Sequence, residues 1–308
     1  MHKRSGKYYL IFSVFTRASV ILMLVLFALW TEYANLKVGY NRARLVELAH
    51  GKTARIFYEY SESFFGFFGD PLSAFQKNGG MTWSVQVAGI PFSDPVAGLS
   101  LLVKNHGLTL EFMLGLIIPL VLCLLLGRVF CSYICPASLV FFMVSRVRRL
   151  FLKVLWFPDI QLNRGVAWGV LFGGLCMAFW FGHGIWTLIL PYFGMGQVIF
   201  QGIATGVISL SLLSVFLFAL VDLFLGQQFT CRYLCPTGRL LGWIGSRSLV
   251  SIKRDEKNCV QSCVTCEMVC PFKVSPKKDE TKDCSLCGEC VAVCPTGCLS
   301  IGRVERKS

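Results

Sequence analysis

The sequence predicts an α-helical membrane protein, with four transmembrane helices in two hairpins and a small cysteine-rich domain behind them. Three observations lead there. Of 308 residues, 55% are hydrophobic and only 15% are charged, and the mean hydropathy is +0.61; this excludes a disordered chain, a coiled coil and an ordinary soluble enzyme. Residues 165–221 contain no Lys, Arg, Asp or Glu, which core helices of soluble proteins rarely match. The chain also carries 15 cysteines, most of them in its last quarter. With no cleavable signal peptide evident, ligation is expected of them rather than disulfide bonding.

A bilayer core about 30 Å thick needs roughly 20 mostly apolar helical residues to cross it. The first candidate span, 9–30, has Arg17 as its only charge. It exceeds a signal-peptide core and no small-residue cleavage site follows it, so it is read as an uncleaved helix. The second, 108–130, has Glu111 near one end and Arg128 near the other. The third and fourth, 165–190 and 205–225, are joined by an uncharged loop, 191–204.

Charge fixes the expected orientation. Lys3, Arg4 and Lys7 precede the first span, and Arg128, Arg146, Arg148, Arg149, Lys153 and Arg164 lie between the second and third against Asp159 alone. The segment after the fourth span is also basic. The positive-inside rule then places both termini in the cytoplasm of a bacterial inner-membrane protein. It also accounts for most of the +13 net charge, so no nucleic-acid partner is called for. The basic, apolar stretch 146–157 is too short to span and is expected to lie along the inner surface.

Four regions follow. Residues 1–30 form the cytoplasmic N-terminus and first span, and 31–107 a periplasmic segment. Residues 108–226 hold spans two to four, and 227–308 a cytoplasmic domain. The outer segment is rich in aromatics (IFYEYSESFFGFF, Trp83). It is either a docking surface for an outer partner or a small cap packed on the helices.

The last domain contains two cysteine runs. One is Cys284-x2-Cys287-x2-Cys290-x3-Cys294-Pro295, the bacterial ferredoxin run, whose first three thiolates hold one [4Fe–4S] cluster while the fourth crosses to its neighbour. The other, Cys259-x3-Cys263-x2-Cys266-x3-Cys270-Pro271, differs by one extra residue in its first gap. Crossed fourth ligands give two sets, Cys259, Cys263, Cys266 and Cys294 for one cluster and Cys284, Cys287, Cys290 and Cys270 for the other. This is a bacterial-ferredoxin-like domain with two [4Fe–4S] clusters. Two runs both ending in Cys-Pro argue strongly against zinc. Cys298 fits neither set and reads as a small buried residue.

A second pattern repeats at an interval of 100 residues. Cys131, Tyr133, Cys135 and Pro136 follow the second span, and Cys231, Tyr233, Cys235 and Pro236 follow the fourth. Two hairpins each ending in C-x3-CP would bring four thiols to the inner face. They could form a further metal or cluster site, a redox-active dithiol, or structural helix ends. Cys123 and Cys176 lie inside spans without a matching partner and read as core.

This order of motifs resembles the NapH-type membrane ferredoxins, which accompany periplasmic nitrate reductase systems. The methylamine-utilisation ferredoxin MauN and the membrane half of the nitrous-oxide regulator NosR are similar. The resemblance covers about residues 89–300 and includes the SDP of GIPFSDP ahead of the second span. It implies quinol oxidation, with electrons passed towards a periplasmic ferredoxin, cytochrome or reductase, and membership of a complex. It implies cluster ligation by the eight ferredoxin cysteines, and it makes Cys131, Cys135, Cys231 and Cys235 the family's paired motifs. Within the spans, His183 and Asp222 are the candidate proton acceptors for a quinol. Two alternatives stand beside this reading. Electrons could come from a cytoplasmic donor and serve maturation of a periplasmic metalloenzyme, or the paired thiols could handle a metal in an accessory factor.

Overall fold

The computed structural model describes residues 2–40, 44–67, 69–105, 109–152, 158–163, 165–206, 210–278 and 283–303. Helix α1 (His2–Tyr40) is about 58 Å long at 1.5 Å per residue, more than a bilayer core requires. Within it, Gly6–Asn35 is long and apolar enough to cross a membrane.

The two ends of α1 hold different units. Near its C-terminal end, Tyr33 stacks on Tyr58 of α2 (Arg44–Gly66) at 4.7 Å, and Phe75 of α3 (Pro71–Lys77) meets Tyr33 edge-on at 5.1 Å. The Tyr33 hydroxyl donates to Glu62 at 2.6 Å. Asp70 starts α3 by accepting from the backbone N–H of Ser73, the usual service of an N-cap aspartate. Strands β1 (Gly79–Met81), β2 (Ser84–Val87) and β3 (Ile90–Ser93) follow as an antiparallel meander with Val85 opposite Phe92. The aromatics of α2 and α3 thus build a cap on α1, although Phe64 and Phe67 remain exposed.

The internal repeat is longer than the cysteine motifs. Its first copy runs through α4 (Pro95–Asn105), α5 (Leu110–Leu126), a π-helical turn (Phe130–Ile134) and α6 (Pro136–Phe151). Then come α7 (Val166–Phe181) and the short α8 (Trp186–Ile189). The second copy is α9 (Pro191–Thr205), α10 (Ser211–Phe224), a π-turn (Thr230–Leu234) and α11 (Pro236–Ile244). Both copies open on a helix that starts with proline, where a missing N–H costs nothing. Val96, Phe141, Leu171, Trp186, Tyr192 and Phe193 form their shared core. The Trp186 indole passes so close to Gly174 that a Cβ there would lie 2.7 Å from it, and its Nε1 donates to Ser100 at 3.0 Å.

Several expectations change here. Among the described residues, only α1 has the length and composition of a full span; α5, α7 and α10 are apolar but have 17, 16 and 14 residues. Four complete transmembrane helices are therefore not established, because prolines and glycines divide the apolar runs into shorter helices. Residues 191–204, expected as a loop, are helix α9 with Tyr192 and Phe193 buried. Its first half packs inward between α1 and α10, while Gln201 and Gly202 near its end are exposed. The basic stretch from 146 continues α6, which begins at Pro136; Phe141, Ser145 and Arg148 face inward, while Arg146, Val147, Leu150, Phe151 and Leu152 are exposed. Arg148 Nη2 donates to the Pro158 carbonyl at 2.7 Å, and its Nη1 bonds the Leu223 carbonyl at the end of α10. Residues 153–157 lie outside those described.

The C-terminal unit contains β4 (Val250–Arg254), α12 (Thr265–Val269), α13 (Glu289–Val293) and β5 (Leu299–Arg303), with β4 and β5 antiparallel. Its core is Ile252, Leu286, Val291 and Leu299 together with Cys266, Cys290, Cys294 and Cys298. So small an apolar core rarely suffices alone, and metal ligation supplies the rest of the stability in domains of this size. A Cβ on Gly6 would fall 2.4 Å from Ala292 Cα, so α1 and α13 are in backbone contact. This puts the N-terminal end of α1 on the same face as the cysteine unit and the cap at its opposite end.

Candidate functional site

The cysteines converge in three groups. Cys259, Cys263, Cys266 and Cys294 line one small cavity, and Cys270, Cys284, Cys287 and Cys290 line a second. In each, three thiols come from one run and the fourth from the other. Backbone N–H groups point at two of the sulfurs, from Val274 to Cys270 at 3.3 Å and from Leu286 to Cys284 at 3.4 Å. Such contacts tune the potential of an iron–sulfur cluster. Leu286 and Gly288 have positive φ, 56° and 79°, and a Cβ on Gly288 would meet Tyr9 Cβ at 2.7 Å. Glycine is required at 288 both for its backbone conformation and for the approach of α1. Cys298 lies 3.5 Å from Cys294, sulfur to sulfur, and lines the first cavity. It is buried, as expected, but it is also part of the site, which its position outside both runs did not signal.

The third group is the twin motif. Cys131 and Cys231 lie in the two π-turns, which are closed by bonds from Cys135 N to Phe130 O at 2.9 Å and from Cys235 N to Thr230 O at 2.8 Å. Cys135, Cys231 and Cys235 lie within electrostatic reach of one another or of Cys131, so the repeat does bring the four thiols to one place. The chain uses one device at all four Cys-Pro pairs. Proline excludes helical ψ from the residue before it, and Cys135, Cys235, Cys270 and Cys294 have ψ of 116°, 109°, 115° and 117°. Each thiol is thereby turned out of its local helix.

Among the described residues, no three His, Cys, Asp or Glu side chains converge closely enough to hold one metal ion. A single zinc draws its sulfurs to about 2.3 Å, whereas a polynuclear cluster holds them further apart. All-thiolate donors, splayed around apolar cavities, fit iron–sulfur clusters.

Basic and aromatic side chains join the groups. Buried Arg128 bonds the Cys231 carbonyl at 3.4 Å, lies 4.0 Å from Asp283 and covers the Phe272 ring at 4.8 Å. Arg239 also pairs with Asp283, at 3.2 Å. Tyr133 donates to the Leu286 carbonyl at 3.0 Å, inside the second ferredoxin run, while its counterpart Tyr233 is buried and bonded to Arg232 at 2.7 Å. The ferredoxin unit therefore docks on both copies of the repeat, through Arg128 and Tyr133 of the first and Arg239 of the second. A small cavity shared by Cys131, Cys287 and Arg17 lies at this junction. Arg17, the lone charge of the first span, bonds Ser13 Oγ at 2.6 Å and the Ser138 carbonyl at 3.2 Å. Glu289 lies 3.8 Å from Arg146 and 3.7 Å from Arg149; burial raises its pKa and these arginines oppose the rise. Sequence reasoning missed Arg128, Tyr133 and Glu289, whose partners are remote in the chain.

Of the two candidate proton acceptors, Asp222 is buried and its Oδ1 accepts from Thr230 N at 2.7 Å. It ties α10 to the second π-turn. His183 opens a 3-10 turn (His183–Ile185); its side chain lies outside those described.

The comparisons with known proteins bear on these repeats. A 4Fe-4S binding domain matches twice, at residues 108–154 and 208–254, the two copies that carry the C-x3-CP motifs. The ferredoxin-type protein NapH of Haemophilus influenzae is 31% identical over 195 residues, 63% of this chain and 65% of that protein. The chain is thus similar to the NapH-type ferredoxins over most of its length. NapH of Escherichia coli is 29% identical over 187 residues, 59% of this chain and 61% of that protein. The methylamine-utilisation ferredoxin-type protein MauN of Paracoccus denitrificans is 28% identical over 207 residues, covering 67% and 70%. The chain spans just under two thirds of the length of the two NapH relatives. No solved structure matches it.

Proposed function

We propose that this NapH-type chain is a multi-pass protein of the bacterial inner membrane that oxidises quinol and carries the electrons on iron–sulfur clusters, both termini being cytoplasmic. One [4Fe–4S] cluster would be held by Cys259, Cys263, Cys266 and Cys294, and another by Cys270, Cys284, Cys287 and Cys290. Each accepts one electron, so the pair matches the two electrons of a quinol. Cys131, Cys135, Cys231 and Cys235 would form a third, cluster-type redox site; that both 4Fe-4S matches fall on these motifs supports it. Electrons would finally reach a periplasmic ferredoxin, cytochrome or reductase within a complex.

The observation that carries this reading is the order of the groups. The twin-motif cysteines lie inside the helical body, Cys131 shares a cavity with Cys287, and Cys270, from the first run, lines the cavity of the second. The three sites form a series running from the helices to the ferredoxin surface. Arg128 and Arg17 supply positive charge along it, which favours a reduced, more negative cluster.

The test is low-temperature EPR on the full chain, purified anaerobically in detergent, with a quinol analogue and with dithionite as control. Cluster signals appearing on quinol addition are expected. Signals with dithionite alone would favour a low-potential cytoplasmic donor and overturn the quinol direction.

A further inference from the structure

A cavity of about 310 Å³, separate from those lined by cluster cysteines, lies between α1, the β2–β3 hairpin, α5 and the starts of α6 and α11. Its walls are mostly apolar, with Val20 and Leu24 on α1 facing Leu122 on α5 and Ile134 of the first π-turn. A polar group interrupts them. Asp94, buried at the start of α4, accepts through Oδ1 from the N–H groups of Val96 at 2.8 Å and Ala97 at 3.1 Å. Its Oδ2 accepts from the Tyr192 hydroxyl at 2.7 Å, and that hydroxyl lies 2.9 Å from Thr237 Oγ1. Asp94, Tyr192 and Thr237 all line the cavity. Ser93 and Thr82 line it as well, but their hydroxyl oxygens are buried against neighbouring helices, where a Cβ on Gly115 would lie 2.6 Å from Ser93 Oγ and one on Gly196 2.5 Å from Thr82 Oγ1.

A mostly apolar cavity of this size with one carboxylate on its wall has the form of a small-molecule site, and Asp94 sets the chemistry of what can enter. The occupant must be apolar over most of its surface and carry hydroxyls able to donate to a carboxylate. Among the described residues no Lys or Arg lines the cavity, so a phosphate headgroup or a fatty-acid carboxylate would face Asp94 without compensation. A quinol ring with an apolar tail meets both requirements. The cavity also abuts the cysteine motifs, because Pro136 directly follows Cys135, Thr237 lies two residues beyond Cys235, and both are on its wall.

We infer that this cavity binds the quinol ring and that Asp94 accepts a proton from a ring hydroxyl, with Tyr192 and Thr237 holding the carboxylate in place. The inference rests on the quinol reading above and gives it a site. In the reaction both O–H bonds of the quinol break and it leaves as quinone. Its two electrons pass to two oxidised [4Fe–4S] clusters, one to each. The first proton goes to Asp94 Oδ2 and the second follows once Asp94 has released the first to water. Asp94, not His183 or Asp222, is then the catalytic residue.

The test uses the full chain with its clusters, comparing wild type with Asp94→Asn and Leu24→Trp. Asparagine caps a helix about as well as aspartate, so Asp94→Asn keeps α4 and the shape of the cavity. Binding of menadione by calorimetry and the rate of menadiol-driven cluster reduction by EPR are both read, with dithionite reduction as the integrity control. Leu24→Trp is expected to weaken menadione binding at least about tenfold by filling the cavity. Asp94→Asn is expected to bind menadione within a few-fold of wild type, yet to slow menadiol-driven reduction about 100-fold, the scale of a lost general base. Dithionite reduction stays unchanged in both. Wild-type rates in Asp94→Asn, or wild-type binding in Leu24→Trp, would overturn this site while leaving the quinol reading intact. A phospholipid that co-purifies in the cavity and is not displaced by menadione would also overturn it. Failure of wild type itself to be reduced by menadiol would instead remove the quinol reading.

Discussion

Cys294 and Cys298 are four residues apart and 3.5 Å apart at sulfur, yet only Cys294 completes a crossed set. Cys294→Ser is expected to cost one cluster, roughly four irons, while Cys298→Ala should keep the iron content and shift only the potential of the first cluster. Iron analysis with a redox titration distinguishes them, and equal iron loss in both would make Cys298 a ligand. Arg128 illustrates a different kind of dependence. It is buried between the Cys231 carbonyl, Asp283 and Phe272. Removing one partner of a buried pair leaves the other charge uncompensated, so Arg128→Met should destabilise the docked ferredoxin unit by about 3 kcal/mol. Arg239, which also holds Asp283, keeps that figure at the low end of its range. Protease sensitivity of the segment between α11 and β4 would report the loss.

The contact of α1 with α13 depends on two glycines. Gly6 admits the Ala292 backbone and Gly288 admits Tyr9. Gly6→Val should therefore separate the ferredoxin unit from α1 and slow cluster reduction by quinol without reducing iron content. The control is Gly169→Ala in α7, where nothing lies within 4 Å of the added Cβ; it should be neutral or stabilise the helix by about 0.5–1 kcal/mol. If both variants reduce their clusters at the wild-type rate, the α1–α13 contact has no part in electron transfer. The repeat also shows how one helical plan takes two roles. Tyr133 of the first copy reaches the ferredoxin unit, whereas Tyr233 of the second turns into the core; Arg128 of the first and Arg239 of the second share Asp283.

Taken together, the cap over 44–93 and the ferredoxin unit are held at opposite ends of α1, so a membrane crossed by α1 separates them. A membrane-impermeant thiol reagent applied to intact spheroplasts should label Glu59→Cys above the wild-type background. Ser246→Cys, exposed on the ferredoxin side, should be labelled only after permeabilisation. The reverse pattern would invert the topology, and labelling of both from outside would mean that α1 does not span. The result also decides which side the clusters face, and hence whether a carrier must bridge the bilayer to reach a periplasmic acceptor.

The cysteine chemistry was legible in the chain itself. Ligand spacing is local, and eight of the nine cysteines that line the two cavities are those of the two ferredoxin runs, grouped as their crossed fourth members imply; Cys298 is the one added by the fold. The interval of 100 residues between the C-x3-CP motifs likewise announced a repeat, and the structure extends it back to Pro95 and Pro191. Hydropathy was a weaker guide. It reports that a segment avoids water, but not where its helix begins and ends; hence α9, whose first half is buried, reads as a loop, and α5, α7 and α10, apolar and largely exposed, are shorter than the runs that contain them. Least legible were the groups whose meaning lies in a remote partner. Asp94 meets Tyr192 and Thr237, Arg128 meets Asp283, and Gly6 meets Ala292. Their sequence separations are too large for any local pattern to record, and only the packing of the two repeat copies and the ferredoxin unit around α1 brings them together.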